Sequence, residues 1–154
     1  MISFSFLHKA GTNQIDQIIK LYRMAGWWPE AIPESIPKSI IETKTDDQKQ
    51  VSKIITGSHC FLTAIHKTEI IGMGRVISDK ISDAYIQDVT VRSDFRDNKI
   101  GSKIVSLLAE RLQQDGLGWI GLIAEKGSCS FYQRLGFEIM PKATPMLLNK
   151  LIIL

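Results

Sequence analysis

Hydrophobic residues recur along this chain with two different periods, and its first part shows both. Apolar and polar residues alternate over Ile2–His8, as in a strand with one buried face. The next apolar residues have helical spacing and form one face: Ile15, Ile18, Ile19 and Tyr22. Gly26 is placed to end this helix. The pattern therefore predicts a strand followed by an amphipathic helix.

The segment after Gly26 breaks both periods, because it is rich in tryptophan and proline. Two short helices are predicted beyond it, at about 37–44 and 47–56, with Gly57 ending the second.

From Ser58 onward the patterns are mainly those of strands. Strands are predicted at Cys60–Ile65, Glu69–Ser78, about 83–91, Trp119–Ala124, Phe137–Met140 and Pro145–Ile153. Helices are predicted at about 100–114 and at Ser128–Leu135. The order β-α-α-β-β-β-α-β-α-β-β predicts an α/β (α+β) fold, with a single mixed, mostly antiparallel sheet of about seven strands and helices on both faces.

Length and composition favour a single domain, 1–154, with an ordinary globular core, since the 154 residues are 44% apolar and 23% charged. No apolar run approaches the roughly 20 residues that span a bilayer, and the first residues lack a secretory pattern. A cytoplasmic location without a membrane partner is therefore expected. The formal charge of +3 is spread out, so nucleic acid is not expected either.

The chemistry of the sequence is concentrated between Ala84 and Ala109, where a strand, a polar loop and a helix follow one another. The first amides of a helix lack intrahelical partners and carry partial positive charge, so they bind phosphate well. Four cationic residues surround this helix start: Arg92, Arg96, Lys99 and Lys103. The pattern suggests a pyrophosphate ligand, and the alternative is an ordinary strand-to-helix turn with solvated charges.

Three pieces of the sequence together resemble the GNAT superfamily of N-acyltransferases. They are the strand ending IQDVTV, the loop Arg96-Asp97-Asn98-Lys99-Ile100-Gly101, and the element FYQRLGF at Phe131–Phe137. The resemblance covers about 61–137 and implies a GNAT-like fold with acetyl-CoA as co-substrate. It implies no metal, and neither Cys60 nor Cys129 has a metal-ligand spacing.

The resemblance also implies a set of donor-site residues. The expected cofactor contacts are Val89, Thr90, Val91, Arg96, Asp97, Asn98, Lys99, Ile100, Gly101, Ser102 and Ser128. The Val89 amide would polarise the thioester carbonyl, and the Tyr132 phenol would protonate the departing CoA thiolate. The alternative for Tyr132 is a tyrosine that packs on the sheet.

The acceptor half of the site is less defined by the family pattern. Asp88 is a candidate to attract a substrate ammonium or to relay its proton, and the alternative is a structural acid. The remaining acceptor-side candidates are Trp27, Trp28, Glu30 and Tyr85. Aromatic faces and carboxylates suit a cation, so a small-molecule primary amine is the expected acceptor. A homodimer stays open.

One position departs from the family pattern, because Lys99 stands where the loop has its first glycine. Lysine restricts a left-handed backbone. Lys99 still serves the site if its backbone is helical and its ammonium pairs with a phosphate, and the alternative is a degraded loop with weaker cofactor affinity. Lys99 also supports a second interpretation of the chain, as a non-catalytic acyl-CoA-binding or regulatory domain that kept the fold. A module that binds nucleic acid or protein is a third alternative.

Overall fold

A computed structural model describes residues 1–29 and 42–148, without the side chains of 42–45. The chain forms two compact units, Met1–Leu122 and Ile123–Leu154. The elements of the first are β1 (Ile2–Phe6), α1 (Thr12–Met24), α2 (Glu42–Gly57), β2 (Cys60–His66), β3 (Glu69–Ser78), β4 (Asp83–Val91), α3 (Ile100–Gln114) and β5 (Trp119–Gly121). A 3-10 turn (Ser93–Phe95) lies between β4 and α3, and the second unit contains α4 (Cys129–Gln133).

The strands form one sheet in the order β1-β2-β3-β4-β5. Neighbours are antiparallel except for β4 and β5, which run parallel. The predicted mixed, mostly antiparallel sheet is therefore confirmed.

The prediction of about seven strands is wrong for the described residues, which contain five. The segment 137–148 forms no strand, and Met146, Leu147 and Leu148 are largely exposed. Pro141 and Pro145 interrupt the segment, and proline cannot donate to a ladder. The apolar residues of 137–148 therefore pair with no strand among the described residues. The end of the last predicted strand, 149–153, lies outside those residues.

The helix predictions differ from the structure mainly before β2. Glu42–Gly57 is one continuous helix, so the helix predicted at about 47–56 does not begin separately but continues from residue 42. Val51 and Ile55 are buried against α1, and this packing supports the helix through its polar first half. Most of the helix predicted at about 37–44 lies outside the described residues. The other helices agree closely, and α3 matches the predicted 100–114.

The two faces of the sheet carry different helices. On one face α1 and α2 pack on the sheet through a cluster that includes Ile18, Val51, Phe61 and Met73. We call this the α1 face.

On the opposite face α3 comes close to β3, because β3 presents glycines there. A β-carbon on Gly72 would lie 3.1 Å from Ile104 Cδ1, and one on Gly74 would lie 2.8 Å from Ile104 Cγ2 and 3.0 Å from Leu108 Cδ1. Ile104 and Leu108 are fully buried, which contributes about 1.5–3 kcal/mol each. The helices on both faces confirm the predicted architecture, and the glycines allow α3 to pack close to β3.

Among the helices that the structure describes, none is long and apolar enough to cross a membrane.

Candidate active site

β4 parts from β5, which is the last strand in the order of the described sheet. The two strands are paired only from Asp83–Trp119 to Tyr85–Gly121, although β4 continues to Val91. Beyond Tyr85, β4 is therefore no longer paired with β5 in the part of the chain that the structure describes. A strand edge of this kind can accept an extended ligand that supplies amide groups.

The same stretch of β4 contains a β-bulge. Arg75 pairs with Gln87 and Met73 pairs with Thr90, so Asp88 and Val89 together lie opposite Gly74. Asp88 has a left-handed backbone with φ of +56°. Such bulges are frequent beside active sites, where they redirect side chains.

The bulge changes which face each later side chain of β4 occupies. A β-carbon on Gly74 would lie 3.3 Å from Val89 Cγ2, so Val89 lies on the α3 face. The buried side chains of Ala84 and Ile86 lie on the same face. In a strand without the bulge, strict alternation would place the Asp88 side chain there instead of Val89. The bulge therefore turns the Asp88 carboxylate to the α1 face.

On the α1 face Asp88 is held by two partners from different elements. The Tyr22 hydroxyl of α1 donates to Asp88 Oδ2 at 2.8 Å. Arg75 Nε of β3 donates to the same oxygen and forms an ion pair with it. Tyr22 is only 2% exposed. Burial, and next the charge of Asp88, raise the pKa of Tyr22 well above its ordinary value, so the phenol stays a donor.

The two tryptophans after α1 contact Tyr22. The Trp28 ring stacks on Tyr22 with centroids 4.7 Å apart, and the Trp27 ring meets it edge-on at 6.0 Å. Trp28 also packs against the core, whereas Trp27 is 37% exposed. The predicted acceptor-side residues Trp27, Trp28 and Asp88 thus come together through Tyr22.

At the other end of the bulged stretch, a basic loop leads into α3. The first intrahelical bond runs from Lys103 N to Lys99 O at 3.0 Å, so the amides of Ile100, Gly101 and Ser102 precede the ladder. Among the described residues, no side chain caps this end of the helix. The first turn therefore offers free donors and a positive dipole end to an anion.

Lys99 does not have a helical backbone. It occupies the N-cap position in a left-handed conformation, with φ of 58° and ψ of 14°. Asp97, two residues earlier, is also left-handed with φ of 64°. The condition of a helical backbone is therefore not met, and Lys99 instead adopts the left-handed conformation that glycine takes at lower cost.

The cations of the loop differ in how far they are already engaged. Arg92 donates to Asp94 at 2.7 Å and to Glu69 at 3.0 Å, and it lies over the Phe95 ring. Arg96 is exposed, and its Nε donates to Val91 O at 3.3 Å. Arg96 has no ion pair among the described residues, so it can add charge to the anion site.

The second unit contains the predicted Tyr132 and Ser128. Tyr132 lies in α4, where its ring meets Phe131 and Phe137 edge-on, and Ser128 is the N-cap of this helix. Burial, with a smaller effect of Glu125, raises the pKa of Tyr132. The phenol therefore stays protonated at neutral pH, as a proton donor to a thiolate requires.

Both cysteines are free thiols. Burial raises the pKa of Cys60 to about 11, which makes this thiol unreactive at neutral pH. Among the residues that the structure describes, no group of three His, Cys, Asp or Glu residues could hold a metal ion.

Comparison with known proteins identifies the family. The model of the acetyltransferase (GNAT) family matches residues 21–137. The chain belongs to the GNAT family. It is 38% identical over 74 residues to GCN5-related N-acetyltransferase 2, chloroplastic, of Arabidopsis thaliana, a match covering 48% of this chain and 29% of that protein. It is 31% identical over 93 residues to the uncharacterised N-acetyltransferase ycf52 of Pyropia yezoensis, a match covering 58% of this chain and 53% of that protein.

A solved structure supports the GNAT fold over nearly the whole chain. It is that of a protein of unknown function and probable acetyltransferase from meticillin-resistant Staphylococcus aureus. The TM-score is 0.73 at 19% identity, and the match covers 97% of this chain and all of that one. This likeness concerns the fold alone.

Within the GNAT fold, Tyr85 occupies a different place from the other acceptor-side candidates. Its ring packs on Trp119 with centroids 4.9 Å apart, and both rings are about 40% exposed. A β-carbon on Gly121 would lie 2.3 Å from the Trp119 indole, so the glycine makes room for this ring. Glu30 lies outside the described residues.

Sequence reasoning missed three residues of this GNAT site. Tyr22 was assigned to a packing face, Arg75 received no role, and Trp119 was treated only as part of a strand. The sequence contains one signal that Asp88 has buried partners, since it occupies a core-facing position in a strand of otherwise alternating apolar and polar residues.

Proposed function

We propose that this GNAT protein transfers an acetyl group from acetyl-CoA to a small primary amine, by direct attack in a ternary complex. The observation that carries the proposal is β4: it parts from β5 after Tyr85, bulges at Asp88, and leads into the uncapped start of α3. The unpaired strand edge, the β-bulge and the uncapped helix start follow one another along the backbone, and this order supports the proposal.

The donor half of the proposal uses backbone groups. The pantetheine arm, which is itself amide-containing, pairs with Val89–Val91. The pyrophosphate lies on the amides of Ile100 to Ser102, with Arg96 and Lys99 as charged partners. The Val89 amide donates to the thioester oxygen as negative charge develops there.

The reaction is an acyl transfer in two bond changes. The uncharged amine nitrogen attacks the thioester carbonyl carbon, and a C–N bond forms. The C–S bond then breaks, the CoA sulfur leaves with the electron pair, and the Tyr132 phenol gives it a proton. The attacking nitrogen loses its extra proton to water. Tyr132 is reprotonated from solvent, so the enzyme returns to its starting state.

The acceptor is inferred from the aromatic rings on the α1 face. Trp27 is exposed beside Tyr22, and the partly exposed Tyr85 and Trp119 rings lie farther back along β4. Aromatic faces attract an amine cation before it loses its proton. A polyamine or an aralkylamine therefore suits this surface better than an anionic amine. The rate should rise with pH, because only the uncharged amine attacks.

The test combines binding and turnover. Acetyl-CoA should raise the melting temperature by mass action, and CoA fragments that lack the pyrophosphate should do so much less. Released thiol should then be measured with a panel of polyamines, aralkylamines, anionic amino acids and peptides. Stabilisation without thiol release would instead favour a non-catalytic acyl-CoA-binding domain. No stabilisation at millimolar acetyl-CoA would contradict the proposal.

The cellular location stays a prediction. The sequence favours the cytoplasm, but the name of the Arabidopsis relative says chloroplastic. A plastid is therefore the alternative, and cell fractionation with an antibody to this chain distinguishes the two.

A further inference from the structure

The Asp88 carboxylate is already engaged before any substrate arrives. Its Oδ2 accepts from the Tyr22 hydroxyl and from Arg75 Nε. The side chains of Arg75 and Asp88 are only 17% and 21% exposed. Because the Asp88–Arg75 pair has no net charge, it attracts an ammonium less than a lone carboxylate would.

The backbone of Asp88 is as unusual as its side chain. A left-handed conformation is unfavourable for residues with a β-carbon, although aspartate and asparagine tolerate it better than most. Such a conformation persists where surrounding contacts hold it. Here the contacts come from both neighbouring elements, α1 through Tyr22 and β3 through Arg75.

The aromatic residues behind Tyr22 complete this arrangement. Trp28 stacks on the Tyr22 ring and packs against the core, which fixes the direction of the Tyr22 hydroxyl. Gly74, opposite the bulge, has no side chain and leaves room for Ile104 and Val89.

We propose that Asp88 is a positioning residue: held by Tyr22 and Arg75, it maintains the β4 bulge that orients the Val89 amide toward the thioester oxygen. This inference rests on the proposed function, since it concerns the same site. The attacking amine then loses its proton to water rather than to Asp88. Tyr22 and Arg75 affect turnover because they hold Asp88 in place.

Three substitutions at Asp88 separate this role from that of a base. Glycine adopts the left-handed backbone without help, asparagine tolerates it and still accepts hydrogen bonds, and alanine does neither. We expect Asp88→Ala to lower kcat about a hundredfold, as expected for loss of an oxyanion donor, with little change in the KM for acetyl-CoA. Asp88→Gly and Asp88→Asn should turn over at least about tenfold faster than Asp88→Ala. If Asp88 is a base, the three variants should lose kcat alike.

A double-mutant cycle tests Tyr22 in the same way. Tyr22→Phe should lower kcat in the wild-type background and have no further effect in the Asp88→Gly background, because the bulge no longer needs its support. Equal losses in both backgrounds would contradict the proposal. Thermal melting of each variant separates these effects from general unfolding.

A readout besides activity keeps this inference separate from the proposed function. With ¹⁵N-valine labelling, the Val89 amide resonance should be similar in wild type and Asp88→Gly, and displaced in Asp88→Ala. An unmoved resonance in Asp88→Ala would overturn the positioning role. A wild-type protein that releases no thiol with any amine would contradict the proposed function, but the NMR comparison would still test the bulge.

Discussion

Lys99 allows the backbone and the charge of the anion loop to be tested separately. The residue is exposed, left-handed and at the N-cap of α3. Lys99→Gly removes both the ammonium and the β-carbon, whereas Lys99→Ala removes the ammonium and keeps the β-carbon. The difference between the two variants therefore measures the backbone conformation alone.

The expected magnitudes follow from the left-handed backbone. A left-handed backbone destabilises a residue with a β-carbon by about 1–2 kcal/mol. Glycine avoids this cost, but its greater freedom in the unfolded chain offsets about 0.5–1 kcal/mol of the gain. Lys99→Gly should therefore be more stable than Lys99→Ala by about 0.5–1 kcal/mol, or about 1–4 °C in Tm for a chain of this size. Lys99→Ala should melt close to wild type, within about 0.5 kcal/mol.

The effect on binding should follow the charge instead. An exposed ion pair contributes up to about 1 kcal/mol, so both variants should bind CoA up to about fivefold more weakly than wild type. The loss should shrink as salt is raised from about 0.05 to about 0.3 M, because screening weakens the pair in wild type.

Calorimetric melting and CoA titration of the three proteins provide the test. Equal stability of Lys99→Gly and Lys99→Ala would refute the reasoning about the backbone. Tighter CoA binding by both variants would show that the lysine impairs the loop.

Three further predictions concern other parts of the chain. Tyr132→Phe should lower kcat by about ten- to a thousandfold with little change in acetyl-CoA affinity, and wild-type turnover would return Tyr132 to a packing role. Gly74→Ala should destabilise the fold by about 1–3 kcal/mol, because its β-carbon would lie 2.8 Å from Ile104 Cγ2, and an unchanged Tm would contradict this packing. His59 Nε2 lies 2.7 Å from Asp115 Oδ2 and lowers the pKa of the Asp115 carboxyl. The charged carboxylate therefore stabilises the fold above its unfolded pKa of about 3.9, and this stabilisation is lost as pH falls below about 4 and through the lowered pKa of the folded state. Urea unfolding of wild type and Asp115→Asn should therefore differ at pH 7, and the difference should shrink as pH falls below about 4; a constant difference would argue against this ion pair.

The donor half of the site could be predicted from the sequence because it depends on local order. A strand, a basic loop and a helix adjacent in sequence are also adjacent in space, so the positions of Gly101 and β4 follow from the periodic patterns. What could not be predicted was the conformation of Lys99, because a left-handed lysine has no compositional signal.

The acceptor half depends on contacts between distant residues. Tyr22 and Asp88 are 66 positions apart, and their hydrogen bond follows only from the bulge that turns Asp88 to the α1 face. A strand pattern with strict alternation places Asp88 on the opposite face. The strands predicted within 137–148 are absent for a related reason, since an apolar pattern near Pro141 and Pro145 does not show whether a neighbouring strand is available for pairing.

The central claim is that acetyl-CoA and an amine react directly on this protein. The most direct measurement follows CoA thiol and N-acetylated amine together, by thiol assay and mass spectrometry, while both substrates are varied. Direct attack in a ternary complex predicts equal amounts of the two products and intersecting double-reciprocal lines. Parallel lines, which indicate an acetylated enzyme, or thiol release without acetylated amine would contradict it.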